Sequence, residues 1–358
     1  MRLIIGGVAA TALVLALSGC VASAPEPTPT TMPTASETPV AEPLTCRDLA
    51  SDDLVAAALT GADGAVPELV EAWYPEIELG TMAVESAGGL DCSWRAGAPV
   101  DPDGYGATDG RYLSIEVLPG GGPLWQPYVM GDGPAQDTDH RDIGGAAGVA
   151  TCGDPGCRVS VPVGDAWIQV DLKPDGWNAD RSVFAGMEPV LVLDRVIAVA
   201  AAAVEAVGAA GPVGLGTASP SERPDCESVL PAAEIETIDG SPAEWTATGG
   251  TLPEHVWFAD AAQHLSGFLG CWGPGAGPYL EVAPGGAALA AELAARADGA
   301  ALLSPVTLAG TAPGDVAVTD CTAGAKRCTV LFSHDGAGYS ISAGADEVVR
   351  YAELVLAG

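Results

Sequence analysis

The stretch CRVSVPVGDAWIQVDL (residues 157–172) decides the fold, because its pattern recurs as CTVLFSHDGAGYSISA (residues 328–343). Each stretch has a cysteine, an alternating run, a Gly-Asp or Asp-Gly pair and a second alternating run. Alternation of apolar and polar residues predicts a half-buried strand, and the glycine pairs are typical of tight hairpin turns. The sequence therefore predicts the same β-hairpin twice.

The cysteines extend this repeat over most of the chain. Apart from Cys20 they form two sets of four with similar spacing: Cys46, Cys92, Cys152 and Cys157, then Cys226, Cys271, Cys321 and Cys328. The flanking patterns match too: a helix follows each first cysteine, a strand with a tryptophan holds each second cysteine, and a helix ends each copy. Matched blocks in one order predict a tandem duplication.

The predicted fold class is α+β, with two tandem copies of a disulfide-stapled antiparallel sheet and flanking helices. Successive hairpins favour an antiparallel sheet that packs helices on one face. The predicted domains are residues 45–210 (the first repeat) and 225–358 (the second repeat), joined by a Gly/Pro/Ser-rich linker at 211–224. Between its strands, the second repeat also has a helix pattern at 287–297.

The N-terminus predicts a lipoprotein signal peptide at residues 1–19. A short apolar segment ends in Leu17-Ser18-Gly19-Cys20, which matches a bacterial lipobox and predicts cleavage before an acylated Cys20. The alternative is an ordinary cleaved signal with a chance cysteine. Residues 20–44 are rich in Pro and Thr and too polar to fold, so they predict a stalk. The predicted location is the extracytoplasmic face of the cell membrane.

The charge balance limits the possible partners. The formal net charge is −33, with no basic patch, and this excludes nucleic acid as a partner. An anionic membrane surface would repel such a chain, so the lipid anchor would hold it at the membrane. The acidic excess is typical of a solvated surface, with selection for a cationic ligand as the alternative.

Even cysteine sets in an oxidising compartment predict disulfides. Cys152–Cys157 and Cys321–Cys328 are expected to pair locally. That leaves Cys46–Cys92 and Cys226–Cys271 to join each first helix to the tryptophan strand. A metal or redox site is disfavoured, because four residues separate the local pair in one copy and six in the other. No metal and no cofactor are predicted.

No nucleophile–base motif is present in the sequence, so the chain is predicted not to be an enzyme. Ser340, in GYSIS, is predicted to be a surface serine. Acidic loops with Asp101, Asp103 and Asp137 favour solvated turns, with a secreted hydrolase using an unrecognised acidic site as the alternative. A structural spacer is a third possibility.

Four aromatic residues are candidates for ligand contact. Trp94 and Trp272 follow the strand cysteines, and packing against the adjacent disulfide is the expected role. The alternative is an aromatic wall for an apolar or glycan ligand, to which Trp125 and Tyr128 of the first repeat's variable region would contribute.

These features carry a resemblance to known families. The lipobox at Cys20, the stalk, the Cys-x-x-Leu helix at Cys46 and the Cys-Ser-Trp or Cys-Trp strands resemble an uncharacterised family of actinobacterial lipoprotein domains. They are more distantly similar to the extracellular sensor domains of mycobacterial serine/threonine kinases. The resemblance implies a membrane-anchored binding or sensor-like module for an envelope component or protein, and it carries no catalytic residues.

Overall fold

Two antiparallel sheets, one in each repeat, organise the chain. The computed structural model describes the following residues: 43–71, 79–96, 111–129, 133–153, 156–174, 183–211, 224–240, 244–248, 252–273, 277–299, 303–322 and 324–358. The predicted α+β class with tandem sheets is confirmed.

The first repeat begins with short helices and ends with a long one. Its elements in chain order are α1 (Cys46–Leu49), α2 (Asp52–Leu59), β1 (Val70–Glu71), a 3₁₀ turn (Leu79–Met82), α3 (Ala83–Ser86), β2 (Leu90–Ala96), β3 (Arg111–Leu118), a second 3₁₀ turn (Gly122–Leu124), β4 (Tyr128–Val129), β5 (Gly133–Pro134), β6 (His140–Ile143), β7 (Ala146–Cys152), β8 (Cys157–Val163), β9 (Ala166–Pro174) and α4 (Pro189–Ala210).

The second repeat follows the same plan, with a helix in place of the β4–β5 hairpin. Its elements are α5 (Cys226–Val229), α6 (Ala232–Asp239), β10 (Thr246–Thr248), α7 (Phe258–Ser266), β11 (Leu269–Trp272), β12 (Tyr279–Ala283), α8 (Ala287–Gly299), β13 (Ser304–Pro305), β14 (Ala317–Thr319), β15 (Arg327–His334), β16 (Ala337–Gly344) and α9 (Val348–Ala357). The predicted helix at 287–297 is α8.

The strand order is the same in the two sheets. It is β1-β2-β3-β9-β8-β7-β6 in the first repeat and β10-β11-β12-β16-β15-β14-β13 in the second. The quoted stretches form the hairpins β8–β9 and β15–β16, and the second strand of each hairpin pairs with β3 or β12 at the sheet centre. Strand-by-strand equivalence lets residues of the two repeats be compared by position.

Each predicted first helix is split in two, because a residue with extended backbone interrupts it. Ser51 begins α2, and its side chain accepts a hydrogen bond from the Leu54 N–H. In the second repeat the interruption lies at residues 230–231, between α5 and α6, and Asp225 caps the start of α5 by accepting from the Ser228 N–H at 2.8 Å. Such side-chain caps satisfy the N–H groups that a helix start leaves unpaired.

One face of each sheet packs on the terminal helix of its own repeat. On sheet one, apolar residues of β3, β8 and β9 contact the apolar stripe of α4, which includes Val196, Val199 and Ala203. On sheet two, Phe332 and Ile341 pack with Tyr351 of α9. Although α4 has 22 residues, no helix in the described ranges is long and apolar enough to cross a membrane.

The four disulfides pair as the sequence predicts. Cys152–Cys157 and Cys321–Cys328 close short local loops, whereas Cys46–Cys92 and Cys226–Cys271 tie the first helix of each repeat to β2 or β11. Each long-range bridge joins elements separated by 45 or 46 positions. The disulfides therefore link equivalent positions in the two repeats.

The two repeats share a third apolar cluster, and residues 41–358 form one compact unit. The cluster contains Leu79 and Met82 of the first repeat together with Phe258, Phe268 and Leu293 of the second. Helix α3 packs against α7. The prediction of helices on one face alone is therefore incomplete: the opposite face of each sheet is partly covered from the other repeat, and in the second repeat also by α8.

Candidate functional site

The face of each sheet that lies opposite α4 or α9, called here the far face, carries the polar strand residues. Directly paired residues on neighbouring strands point to the same side of a sheet. Glu116 of β3 pairs with Gln169 of β9, and Glu281 of β12 pairs with Ser340 of β16. The two glutamates therefore occupy equivalent positions on the two far faces.

In the first repeat, Glu116 belongs to a charged network that crosses three strands. The side-chain amide of Gln169 donates to Glu116 Oε2 at 3.2 Å and to Asp171 Oδ2 at 3.0 Å. Arg158 of β8 donates to both oxygens of Asp171, at 2.6 and 3.1 Å. A bidentate guanidinium–carboxylate pair is one of the stronger polar contacts in proteins, so this network is well ordered.

Burial raises the pKa of Glu116 to about 8. The negative charges of Asp91 and Asp171 act in the same direction, whereas the Gln169 amide and Arg158 oppose them. Glu116 therefore keeps its proton at neutral pH and can donate a hydrogen bond.

Two tryptophans of the first repeat meet at one serine on the far face. The indole N–H groups of Trp125 and Trp167 donate to Ser160 Oγ at 3.0 and 2.8 Å. The Trp167 ring contacts Phe258 of the second repeat edge to face, with centroids 5.3 Å apart. Trp125 is half-buried and packs against the shared cluster, so part of its side chain contributes to the contact between the repeats.

In the second repeat, Glu281 is 3% exposed and contacts the first repeat. Ser340 Oγ donates to it at 2.7 Å, the Tyr279 hydroxyl donates at 3.0 Å, and the backbone N–H groups of Gly80 and Leu79 complete the set. Burial raises the pKa of Glu281, and these donors oppose the rise. The prediction of a surface Ser340 is wrong: the residue is 1% exposed.

An aromatic pair, with one exposed and one half-buried ring, lies on the far face of the second repeat. The Trp272 side chain is 51% exposed, and its ring stacks on Tyr279 with centroids 4.1 Å apart and planes at 29°. Along the same row of the sheet follow Ser342 and Thr329, whose hydroxyls lie 2.7 Å apart. Arg327 lies two residues before Thr329 on β15, in the next row of the same face, and donates to the Ser342 carbonyl oxygen at 3.0 Å. The pair and its polar border are called the aromatic platform below.

The first repeat has no such pair at the equivalent positions. The row that holds Trp272 and Tyr279 corresponds to Ser93 and Ser114, since Cys92 and Cys271 occupy matching places in β2 and β11. Trp94 lies two residues after its cysteine, on the helix side, and packs against the first core. Trp94 and Trp272 therefore do not occupy equivalent positions, because the one-residue difference in their spacing from the cysteine turns the two rings to opposite faces.

The structure describes only two of the remaining predicted site residues, Tyr128 and Asp137. Cys20, Asp101 and Asp103 lie outside the described residues, and Asp137 is exposed. Tyr128 lies in β4, paired with Pro134 of β5. Two of the three carboxylates of the acidic site suggested by the sequence thus lie outside the described residues, and that site stays a prediction.

One group of potential metal ligands occurs in the described residues. Atoms of Asp320, Cys321 and Cys328 lie within 4.8 Å of one another. The two sulfurs form a disulfide, so they offer no thiolate to a metal ion. The Asp320 carboxylate accepts a hydrogen bond from the Thr329 N–H at 2.6 Å, which gives it a structural role beside the Cys321–Cys328 disulfide.

Comparison with protein-family models, with curated proteins and with solved structures finds no match for this chain.

Sequence reasoning missed both glutamates and the asymmetry of the tryptophans. YLSIEVL and PYLEVA each place one glutamate in an otherwise apolar strand pattern. That feature is the signal, because a strand buried on both faces should not tolerate an isolated carboxylate without partners. Aligning Cys92 with Cys271 residue by residue would have separated Trp94 from Trp272.

Proposed function

We propose that this chain is a membrane-anchored extracytoplasmic lipoprotein that binds an envelope component through the aromatic platform. The exposed Trp272–Tyr279 stack carries this proposal. Aromatic rings offer a large, rigid contact area, and exposed aromatic residues are enriched at recognition sites.

The repeat structure supports a binding role for the platform. The first repeat builds the same sheet with Ser93 and Ser114 at the matching positions, so the fold does not need an aromatic pair there. A half-exposed tryptophan forgoes much of the stabilisation that its full burial would provide. Contact with a partner explains its placement on the outside of the second repeat.

The anchor supports the proposed location. The lipobox at Cys20 and the Pro/Thr-rich segment after it would hold the folded part outside the membrane at the end of a stalk. A chain of net charge −33 would gain no attraction from anionic lipids, so acylation would supply the membrane attachment.

The anchor is tested by growing cells that express the chain with an alkyne-labelled palmitate analogue. The natural chain should take up label and fractionate with membranes, whereas Cys20→Ser should do neither. An unlabelled natural chain in the cytoplasm would contradict the proposed location.

The binding role is tested by adding purified chain to cell envelopes that lack it. Trp272→Ser, which copies the residue of the first repeat, should reduce retention on the envelopes about tenfold. Leu191→Ser is the matched control, because Leu191 is 54% exposed but lies on α4. Equal retention of Trp272→Ser and the natural chain would contradict the proposal.

A second candidate function is hydrolysis by acid–base chemistry at Glu116. Its raised pKa makes it a proton donor at neutral pH, with Asp91 and Asp171 nearby. Screening chromogenic ester and glycoside substrates tests this candidate. Activity present in the natural chain and absent from Glu116→Gln would favour it over the binding role.

A further inference from the structure

We infer that the aromatic platform is a subsite for a neutral sugar ring. This inference deepens the proposed function and rests on it. Its basis is the combination of a flat open ring, a polar border and the local distribution of charge.

The aromatic platform has one accessible apolar surface, the open side of the Trp272 ring, which is called the plate below. One side of the Trp272 ring is covered by Tyr279 at 4.1 Å, and half of the Trp272 side chain remains accessible. Tyr279 is held in place by its hydroxyl, which donates to the buried Glu281 at 3.0 Å. Since the supporting ring is tethered in this way, the plate is oriented before any ligand arrives, which lowers the entropy lost on binding.

The border of the plate is polar. The hydroxyls of Thr329 and Ser342 lie in the same row across the sheet. Arg327 lies in the next row of the same face and donates to the carbonyl oxygens of Gly277 and Ser342, at 3.3 and 3.0 Å. These groups already pair with one another and with backbone carbonyl oxygens, but hydroxyl and guanidinium groups can form more than one hydrogen bond, and an apolar ligand would supply none. The ligand should therefore carry hydroxyl groups beside an apolar face.

The Arg327 guanidinium and the net charge of the chain narrow the class of ligand further. A cationic ligand could use the tryptophan ring, but it would have to approach the guanidinium of Arg327. A polyanion would be repelled by the net charge of −33. A neutral ligand avoids both penalties.

A pyranose or furanose ring meets all three requirements. Its C–H groups form a flat apolar face that packs on an aromatic ring, and its hydroxyls project from the edge, where they can reach hydroxyl and guanidinium groups. The structure thus favours a neutral saccharide of the envelope over a lipid, a peptide cation or a polyphosphate.

The experiment titrates the full-length chain with neutral hexasaccharides. Maltohexaose, chitohexaose and mannohexaose are added separately, and tryptophan fluorescence and saturation-transfer NMR report contact. The detergent is a polyoxyethylene ether, because glycoside detergents would compete. At least one oligosaccharide should bind, with saturation transfer from aromatic protons to ring C–H protons.

The variants locate the binding. Trp272→Ser should raise the dissociation constant about tenfold. Trp272→Phe should raise it less, because a smaller ring still packs on the sugar. Leu191→Ser should bind as the natural chain does. Thermal unfolding of each variant confirms that it is folded, and the first repeat carries serine at the matching position of a sheet with the same strand order.

The outcomes separate this inference from the proposed function. If no hexasaccharide binds, or if Trp272→Ser binds as well as the natural chain, the sugar subsite is wrong. If Trp272→Ser loses retention on envelopes while the sugars do not bind, the binding module stands and its ligand belongs to another class. If both experiments are negative, both proposals fall.

Discussion

At the scale of single residues, Glu116 makes stability depend on pH. The carboxyl has an ordinary pKa of 4.5 in an unfolded chain and about 8 in the fold, where burial and neighbouring carboxylates favour the protonated form. The stabilisation from its bound proton is complete below about pH 4.5 and is lost as the pH rises through about 8. The natural chain should therefore be more stable in mild acid than in mild alkali.

Replacing Glu116 with glutamine should flatten this dependence. Glu116→Gln keeps the shape of the side chain without a titrating proton, so its melting temperature should exceed that of the natural chain at about pH 9 and match it at about pH 4. Thermal unfolding followed by circular dichroism across this range measures the effect. Glu236→Gln, at an exposed position on α6, is the control and should change neither end of the curve. Parallel curves for Glu116→Gln and the natural chain would show that Glu116 is not the group responsible.

Gly80 is a second residue whose role is visible only in three dimensions. A Cβ atom built on Gly80 would lie 2.6 Å from Glu281 Oε1, on the carboxylate that accepts the Gly80 N–H. Gly80→Ala should displace that buried carboxylate and lower the free energy of unfolding by about 1–3 kcal/mol. Chemical denaturation measures the loss.

Gly153→Ala provides the control for this substitution. A Cβ at Gly153 meets no atom within 4 Å, so the change should stay within about 0.5 kcal/mol. Equal midpoints for both variants would refute the close contact. The sequence could not predict this role, because LGTM around Gly80 has no strong pattern and its partner lies in the other repeat.

At the scale of elements, the two kinds of disulfide should contribute unequally. Cys46–Cys92 spans 46 positions and joins α1 to β2, whereas Cys152–Cys157 spans 5 and closes a hairpin whose strands already pair. The chain-entropy model gives about 4 kcal/mol for the longer loop and about 2 kcal/mol for the shorter one.

Replacing both cysteines of one disulfide with alanine, one disulfide at a time, tests this difference. Denaturant unfolding of Cys46→Ala/Cys92→Ala should show the larger drop in stability, and Cys152→Ala/Cys157→Ala the smaller. A larger loss of unfolding free energy in Cys152→Ala/Cys157→Ala than in Cys46→Ala/Cys92→Ala would contradict this ranking. The same comparison in the second repeat, with Cys226–Cys271 and Cys321–Cys328, should give the same order.

These elements were predictable to different degrees for physical reasons. Alternation and turn residues act within a few positions, so the hairpins β8–β9 and β15–β16, the helix α8 and the cysteine pairing followed from the sequence. The short helix α3 did not, because four residues carry too little pattern and its stabilising partner is α7. The aromatic platform was found only in part, since Tyr279 supports Trp272 from the next strand.

At the scale of the whole molecule, the two repeats exchange contacts in both directions. Leu79 and Gly80 of the first repeat lie on sheet two at Glu281, and Phe258 of the second lies on sheet one at Trp167. Gln126 reinforces the contact: its side chain donates to the Glu254 carbonyl oxygen at 3.4 Å and accepts from the Val256 N–H at 3.3 Å. Each repeat thus completes the far face of the other.

This exchange predicts that the repeats stay together after the chain between them is cut. A protease site inserted in the Gly/Pro/Ser-rich stretch 211–224 allows cleavage of the folded protein, and gel filtration should show the two fragments eluting as one species. The shared cluster is apolar and closely packed, so it should hold the two repeats together after the linker is cut.

The control is the same cut in a chain carrying Leu79→Ala and Phe258→Ala, which removes one large buried side chain from each repeat. Each of these changes should cost about 2–5 kcal/mol, and the cut variant should separate into two fragments. If the fragments of the natural chain also separate at micromolar concentration, the repeats are independent domains, and the buried Glu281 would then have to become exposed without unfolding the second sheet.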